Sequence, residues 1–220
     1  MNISAGQFID GSAEPTVRGF LHIPMTPNGH ALVLTHGAGA DCQTRLLVTL
    51  AEAFAKTGFT VLRCDLPFRQ KRPHGPPFPA LAGRDREGLQ RAAALMKQRI
   101  SGSVFLSGHS YGGRQATILA AEMSDVADGL LLLSYPLHPP RKPADLRTAH
   151  FPNLATPSLF VHGSRDPFGS VEEMKSALGL IPVQTKLVEA ERLGHGLLPK
   201  SGASNLPAQI VGAFQAFFLS

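Results

Sequence analysis

One short stretch near the middle of the chain constrains its fold more than any other. The apolar residues 104–106 are followed by Gly108-x-Ser110-x-Gly112 and then by residues 115–121, which are typical of a helix. This spacing predicts a strand that turns directly into a helix. Glycines at both ends of the turn let strand and helix pass closely, and the turn forces the serine into a strained backbone conformation. We therefore expect the serine hydroxyl to stand clear at the N-terminus of a helix.

Two later motifs supply partners for a nucleophilic serine at this turn. Asp166 follows the apolar residues 158–162, and His195 lies between two glycines late in the chain. Ser110, Asp166 and His195 thus occur in the chain order of a nucleophile, an acid and a base. Neutral His195 would take the Ser110 proton during attack on a carbonyl, while Asp166 would hold the ring in the required tautomer. The alternatives are an ordinary serine in a glycine-rich turn, a turn aspartate and a surface histidine.

The loop after the predicted strand at 31–35 offers hydrogen-bond donors for the same reaction. It reads HGAGAD over residues 36–41 and leads into a predicted helix from about residue 43, with Asp41 as the expected N-cap. An oxyanion would accept one bond from the N–H of Tyr111 and another from this loop. We select Ala38 as the second donor, with Gly39 as the alternative. The other interpretation is a turn that only connects a strand to a helix.

With these motifs the chain resembles the α/β-hydrolase superfamily, and within it the small dienelactone-hydrolase-like branch. The stretches SYPLHPPRKP (134–143) and RDPFG (165–169) resemble a group of compact predicted hydrolases. Eukaryotic relatives of that group include a subunit of a histone-acetyltransferase-associated complex. The resemblance covers nearly the whole chain and implies the fold and the catalytic roles given above. Dienelactone hydrolase itself has a cysteine nucleophile where this chain has Ser110, so its substrate does not carry over.

Hydrophobic patterning predicts an α/β fold with about eight strands in a mostly parallel sheet. After an opening hairpin, short apolar runs alternate with amphipathic stretches, as expected of parallel strands covered on both faces. The expected strands are 7–10, 17–23, 31–35, 59–64, 104–107, 130–134, 158–162 and 185–189. The expected helices are 43–56, 85–100, 113–123, 171–178 and 205–218. Sites in such sheets lie beyond the carboxyl ends of the strands. Ser110, Asp166 and the loop that begins at residue 36 all follow predicted strand ends.

Length and loop composition predict a single domain, residues 1–220, without a separate lid. A chain of 220 residues with 43% hydrophobic content suits one buried core. The loops at 66–83 and 135–157 are rich in proline and basic residues, and about twenty residues cannot form a lid with its own core. Both loops begin at carboxyl strand ends, so we expect four of their charges to rim an open cleft. These residues are Arg69, Arg72, Arg141 and Lys142.

These basic loops have two interpretations. They could attract and orient a substrate that carries negative charge near the scissile bond. Alternatively, they form a solvated rim that only raises the pI. The net charge of +5 and the pI near 9.6 also permit nucleic-acid binding, but the basic residues do not follow a helix face and Trp is absent. Nucleic acid is therefore not the partner we expect.

Composition also bears on cofactors and location. The histidines are too dispersed among glycine loops to suggest a metal site, and no organic cofactor is indicated. No window approaches the ~20 apolar residues of a membrane span. The first six residues lack the features of a signal peptide, and Cys42 and Cys64 do not indicate a disulfide framework. We expect a cytoplasmic protein; the sequence does not indicate its oligomeric state.

The sequence therefore predicts a serine hydrolase that cleaves small carboxylic esters, or thioesters, through an acyl-enzyme on Ser110. Its partner would be a small-molecule ester. Two other classes stay open: a noncatalytic scaffold of the same fold, and a nucleic-acid or protein interaction module. A lyase or perhydrolase reaction on the same three residues is a further alternative.

Overall fold

An eight-stranded sheet organises the chain, of which the computed structural model describes residues 4–199, 202 and 204–220. The strand order is β1-β2-β4-β3-β5-β6-β7-β8. The strands are β1 (Ser4–Asp10), β2 (Val17–Ile23), β3 (Ala31–Thr35), β4 (Thr60–Asp65), β5 (Val104–His109), β6 (Gly129–Leu133), β7 (Ser158–Gly163) and β8 (Thr185–Ala190). The pairs β1–β2 and β2–β4 are antiparallel, and all other neighbours are parallel. The predicted α/β architecture with about eight strands in a mostly parallel sheet is confirmed.

Helices cover both faces of the sheet because its central strands are apolar on both sides. The helices are α1 (Arg45–Lys56), α2 (Pro67–Lys71), α3 (Ala82–Lys97), α4 (Tyr111–Glu122), α5 (Val171–Leu178) and α6 (Leu206–Phe218). In β3, Val33 belongs to the cluster that α3, α4 and α5 cover. Its neighbours Leu32 and Leu34 belong to the cluster that α1 and α6 cover. This alternation follows from the two-residue period of a strand.

The structure differs from the sequence prediction mainly around the first proline-rich loop. Helix α2 was not predicted; it begins with Pro67, whose fixed φ suits the first position of a helix. Helix α3 begins three residues earlier than expected. Asp41 as N-cap of α1 was wrong, because the helix begins at Arg45 after Thr44. The Asp41 carboxylate instead accepts a hydrogen bond from the N–H of Gln43, at 2.8 Å, in the preceding turn.

The connection between β6 and β7 bears on access to the carboxyl edge of the sheet. Residues 134–157 contain a three-residue 3-10 turn, Phe151–Asn153, and no longer helix. This segment is therefore a loop that leaves the carboxyl end of β6, passes along α4 through the contact of His150 with Thr117, and reaches the amino end of β7. Among the helices of the described residues, none has the length and apolar character needed to cross a bilayer.

Candidate functional site

The turn between β5 and α4 has the geometry that its glycines predict. Ser110 has φ 51° and ψ −114°, a strained conformation for a residue with a side chain. A Cβ on Gly108 would lie 2.4 Å from the backbone of Gly112, and one on Gly112 would lie 2.5 Å from the carbonyl oxygen of His36. The backbone N–H of Ser110 donates to the carbonyl of Leu133 at 2.8 Å. The turn is thus fixed between β6 and the loop after β3.

Three side chains from distant parts of the sequence meet at this turn. Nε2 of His195 lies 2.8 Å from Oγ of Ser110. Nδ1 of His195 lies 2.8 Å from Oδ2 and 3.0 Å from Oδ1 of Asp166. An ionised carboxylate only accepts hydrogen bonds, so the imidazole proton lies on Nδ1 and Nε2 is free to accept the serine proton. The structure thus brings together Ser110, Asp166 and His195 in one continuous hydrogen-bonded chain.

The immediate surroundings hold the acid and the imidazole in place. The Asp166 side chain is fully buried, and its Oδ1 also accepts the N–H of Phe168 at 2.9 Å. Burial alone would raise the pKa of Asp166, but the hydrogen bonds that its carboxylate accepts from His195 and Phe168 lower it on balance. The Phe168 ring stacks on His195 with centroids 4.3 Å apart. Burial lowers the pKa of His109 to about 4, and its Nε2–H donates to the carbonyl of His195 at 2.7 Å.

The loop after β3 lies directly against the serine. A Cβ on Gly37 would be 3.3 Å from Cβ of Ser110 and 3.1 Å from Nδ1 of His109. Within the part of the chain that the structure describes, the backbone N–H groups of Ala38 and Tyr111 donate no hydrogen bond. Both groups are therefore available to an oxygen that forms next to Ser110, as predicted for an oxyanion hole.

Arg69 was wrongly predicted as a rim charge. It is only 6% exposed, and its guanidinium donates to four backbone carbonyls at 2.7–3.1 Å, those of Ala38, Ala40, Arg72 and Gly75. Two of these carbonyls belong to the loop after β3. Arg69 thus fixes the loop that carries Ala38 and does not face a cleft.

The other three predicted rim residues are distributed differently. The guanidinium of Arg72 lies over the Phe78 ring, 4.4 Å from its centroid, and is partly buried. Arg141 and Lys142 are exposed in the loop between β6 and β7. Their role in attracting an anionic substrate stays a prediction.

Asp85 is a site residue that the sequence interpretation missed. It is 1% exposed in the first turn of α3. Its Oδ2 accepts the hydroxyl of Tyr111 at 2.7 Å, and its Oδ1 accepts the N–H of Phe68 at 2.9 Å. Burial raises the pKa of Asp85, against the opposing effect of these two bonds. Asp85 connects the helix that carries one expected oxyanion donor to α2, which carries Arg69.

Metal and thiol chemistry find no support in the described residues. In the ranges 4–199, 202 and 204–220, no group of three or more His, Cys, Asp or Glu side chains could hold a metal ion. Cys42 and Cys64 are buried free thiols. Burial raises the pKa of both, that of Cys64 to about 12. Neither thiol is therefore an effective nucleophile.

Comparison with known proteins agrees with this fold. A family model described as an alpha/beta hydrolase domain matches residues 28–210. The structure superposes on dienelactone hydrolase from Anabaena variabilis ATCC 29413 with a TM-score of 0.76 and 19% identity, covering 100% of this chain and 98% of that one. It also superposes on an α/β serine hydrolase without a lid from Xanthomonas campestris (TM-score 0.72, 15% identity, 98% and 94% covered). A third similar structure is Est1E from Butyrivibrio proteoclasticus (TM-score 0.74, 16% identity, 98% and 99% covered).

Proposed function

Since the chain belongs to the alpha/beta hydrolase domain family, we propose that it is a serine hydrolase that cleaves small carboxylic esters or thioesters through an acyl-enzyme on Ser110. The observation that carries the proposal is the continuous hydrogen-bonded chain from Ser110 through His195 to Asp166. A noncatalytic scaffold would have no use for this arrangement at a strained turn. The short loop in place of a lid suits small substrates with direct access from solvent.

The first half of the reaction forms the acyl-enzyme. Oγ of Ser110 attacks the carbonyl carbon of the ester while its proton passes to Nε2 of His195. The carboxylate of Asp166 stabilises the imidazolium that results. The carbonyl oxygen becomes an oxyanion, which accepts hydrogen bonds from the N–H groups of Ala38 and Tyr111. When the tetrahedral intermediate collapses, the ester C–O bond breaks and the proton on Nε2 passes to the departing alkoxide.

The second half releases the acid. Water takes the place of the alcohol and gives a proton to Nε2 of His195 as it attacks the acyl carbon. A second tetrahedral intermediate forms at the same position and uses the same two backbone donors. Its collapse breaks the acyl–oxygen bond, and the proton returns from His195 to Oγ of Ser110. The free enzyme is restored with the imidazole neutral.

A panel of p-nitrophenyl esters from acetate to octanoate tests this function. We expect turnover by the native chain, and a loss of about 10⁴-fold or more in kcat for Ser110→Ala, because that change removes the nucleophile. Far-ultraviolet circular dichroism checks that the variant remains folded. The proposal is wrong if Ser110→Ala retains the native rate, or if the native chain hydrolyses none of these esters nor the matching thioesters.

A further inference from the structure

Arg114 in α4 and Arg147 in the loop between β6 and β7 have no acidic partner among the described residues. Within the described residues, neither forms an ion pair with a carboxylate. Nε of Arg114 is buried and has no hydrogen-bond partner in the part of the chain that the structure describes. Among the described residues, the Arg147 guanidinium makes one hydrogen bond, a long one of 3.4 Å to the carbonyl of Pro136. Both residues are partly buried, so their charges are only partly solvated by water.

Arg114 is fixed close to the proposed nucleophile. It lies one turn into α4, where its backbone N–H donates to the carbonyl of Ser110 at 3.0 Å. The hydroxyl of Thr117 donates to the carbonyl of Arg114 at 2.9 Å, and that hydroxyl lies 2.8 Å from Nε2 of His150. The side chains of α4 and of the β6–β7 loop therefore meet next to Arg114.

Arg147 reaches the same place from the β6–β7 loop. Its backbone N–H donates to the carbonyl of Leu137 at 2.8 Å, and its carbonyl accepts the hydroxyl of the buried Tyr135 at 2.6 Å. That loop begins one residue after Leu133, whose carbonyl holds the N–H of Ser110. Arg147 thus lies against Tyr135, two residues after the end of β6.

The charges of these arginines influence one another. Burial and then the positive charge of Arg114 lower the pKa of Arg147. The same two causes lower the pKa of His150 to about 4, so this histidine is neutral near pH 7 and adds no third charge. Two positive charges held near each other repel, which disfavours the charged form of each guanidinium. An anion that binds both groups would remove this repulsion. A guanidinium binds carboxylate and phosphate oxygens through paired N–H donors.

We propose that Arg114 and Arg147 form a subsite for an anionic oxygen group, a carboxylate or a phosphate, carried by the ester substrate. This inference rests on the proposed function, and it identifies the substrate class of the same site. It replaces the expected rim, from which Arg69 is excluded by its burial, with Arg114, one helical turn after Ser110, and Arg147 of the β6–β7 loop. Arg114 was not among the predicted site residues.

The kinetic test compares two p-nitrophenyl esters of similar length, the anionic hemiglutarate and the neutral valerate. We expect the native chain to prefer the hemiglutarate. Arg114→Gln and Arg147→Gln should each lower its kcat/KM by about 10- to 100-fold, chiefly through KM, and change that of the valerate by less than about 2-fold. Arg114→Lys keeps the charge and should lose less. Arg99→Gln removes the same charge two residues after the end of α3, where Arg99 lies over the Phe8 ring of β1, and should change neither ester.

A binding test separates the subsite from the reaction. In the Ser110→Ala variant, 10 mM inorganic phosphate or glutarate should raise Tm, and adding Arg114→Gln should abolish the increase. The anion that gives the larger increase identifies the preferred group. A chain that hydrolyses neither ester but shows this Arg114-dependent increase would retain the subsite and lose the proposed function. Equal losses for both esters in the arginine variants, or a Tm increase that survives Arg114→Gln, would overturn the subsite.

Discussion

At the scale of single residues, hydrogen-bond donors determine what Arg69 can do in this site. A guanidinium is planar and presents five N–H donors in a fixed arrangement. That arrangement explains how one buried charge can bind four backbone carbonyls, two of them in the loop that carries Ala38. A lysine ammonium has three donors at a single point and cannot reach the same four oxygens.

We therefore expect Arg69→Lys to lower kcat by about 10- to 100-fold while KM changes little, because the oxyanion donor loses its fixed position. The free energy of unfolding should also fall by about 1–3 kcal/mol, since buried carbonyls lose their partners. Steady-state kinetics and urea unfolding measure the two effects. Arg72→Lys is the matched control, because Arg72 lies over a phenylalanine ring in the same loop. If both variants have the kcat and the free energy of unfolding of the native chain, Arg69 does not position the loop that carries Ala38.

The residues of the hydrogen-bonded chain at the serine turn were predictable, and the buried charges that hold the neighbouring loops in place were not. Ser110, Asp166 and His195 follow from local glycine and strand patterns and from their order. Asp85 and Arg69 give no such signal, because a charged residue is buried only when partners distant in sequence satisfy it. Arg69 shares its loop with Lys71 and Arg72, so composition alone placed all three charges on the surface.

At the scale of elements, the close approach of β5 and α4 determines where Ser110 lies. A methyl group at position 112 would overlap both the carbonyl of His36, at 2.5 Å, and Cγ2 of Thr35, at 2.6 Å. The turn between β5 and α4 would then have to move away from the loop that carries Ala38, the proposed oxyanion donor. Gly212, on the exposed face of α6, has no described atom within 4 Å of an added Cβ.

This contrast predicts opposite changes in stability when alanine replaces each of the two glycines. Gly112→Ala should lower the free energy of unfolding by about 1–3 kcal/mol through overpacking and should lower kcat. Gly212→Ala should raise the free energy of unfolding by about 0.5–1 kcal/mol, because alanine is the better helix former, and leave kcat unchanged. Urea unfolding and ester hydrolysis measure both variants. A Gly112→Ala chain with native stability and native kcat would contradict this account of the turn between β5 and α4.

The sequence predicted elements well where apolar runs were continuous and poorly where they were not. Strand β3 was predicted with its observed bounds, because all five of its residues are buried between two helical layers. Helix α2 is five residues long and lies among prolines and basic residues, so it is too short for an amphipathic period to appear.

At the scale of the whole molecule, buried neutral histidines couple stability to pH. Burial lowers the pKa values of His22, His109 and His150 to about 4. In the unfolded chain a histidine binds its proton near pH 6.5. The unfolded state therefore binds more protons than the folded state between these values, and the folded state loses stability as the pH falls.

We expect the free energy of unfolding to decrease as the pH falls from about 6.5 to about 4, by up to about 1.4 kcal/mol per pH unit for each such histidine. Urea unfolding at several pH values measures the slope. Nε of Arg63 donates a hydrogen bond to Nε2 of His22 at 2.9 Å, so the His22 ring must be neutral in the folded chain. His22→Gln removes this titrating group and should therefore reduce the slope. The exposed His74 serves as the control, and His74→Gln should leave the slope unchanged. A free energy of unfolding that stays constant over this range would exclude the coupling.

Covalent labelling tests the central claim, that Ser110 is a nucleophile activated by His195 and Asp166, most directly. The native chain would be treated with a fluorophosphonate and examined by intact-mass and peptide mass spectrometry, alongside folded Ser110→Ala and His195→Ala variants. We expect one adduct, on Ser110, in the native chain, none in Ser110→Ala, and labelling slower by orders of magnitude in His195→Ala. An adduct on another residue, or labelling of His195→Ala at the native rate, would contradict the account.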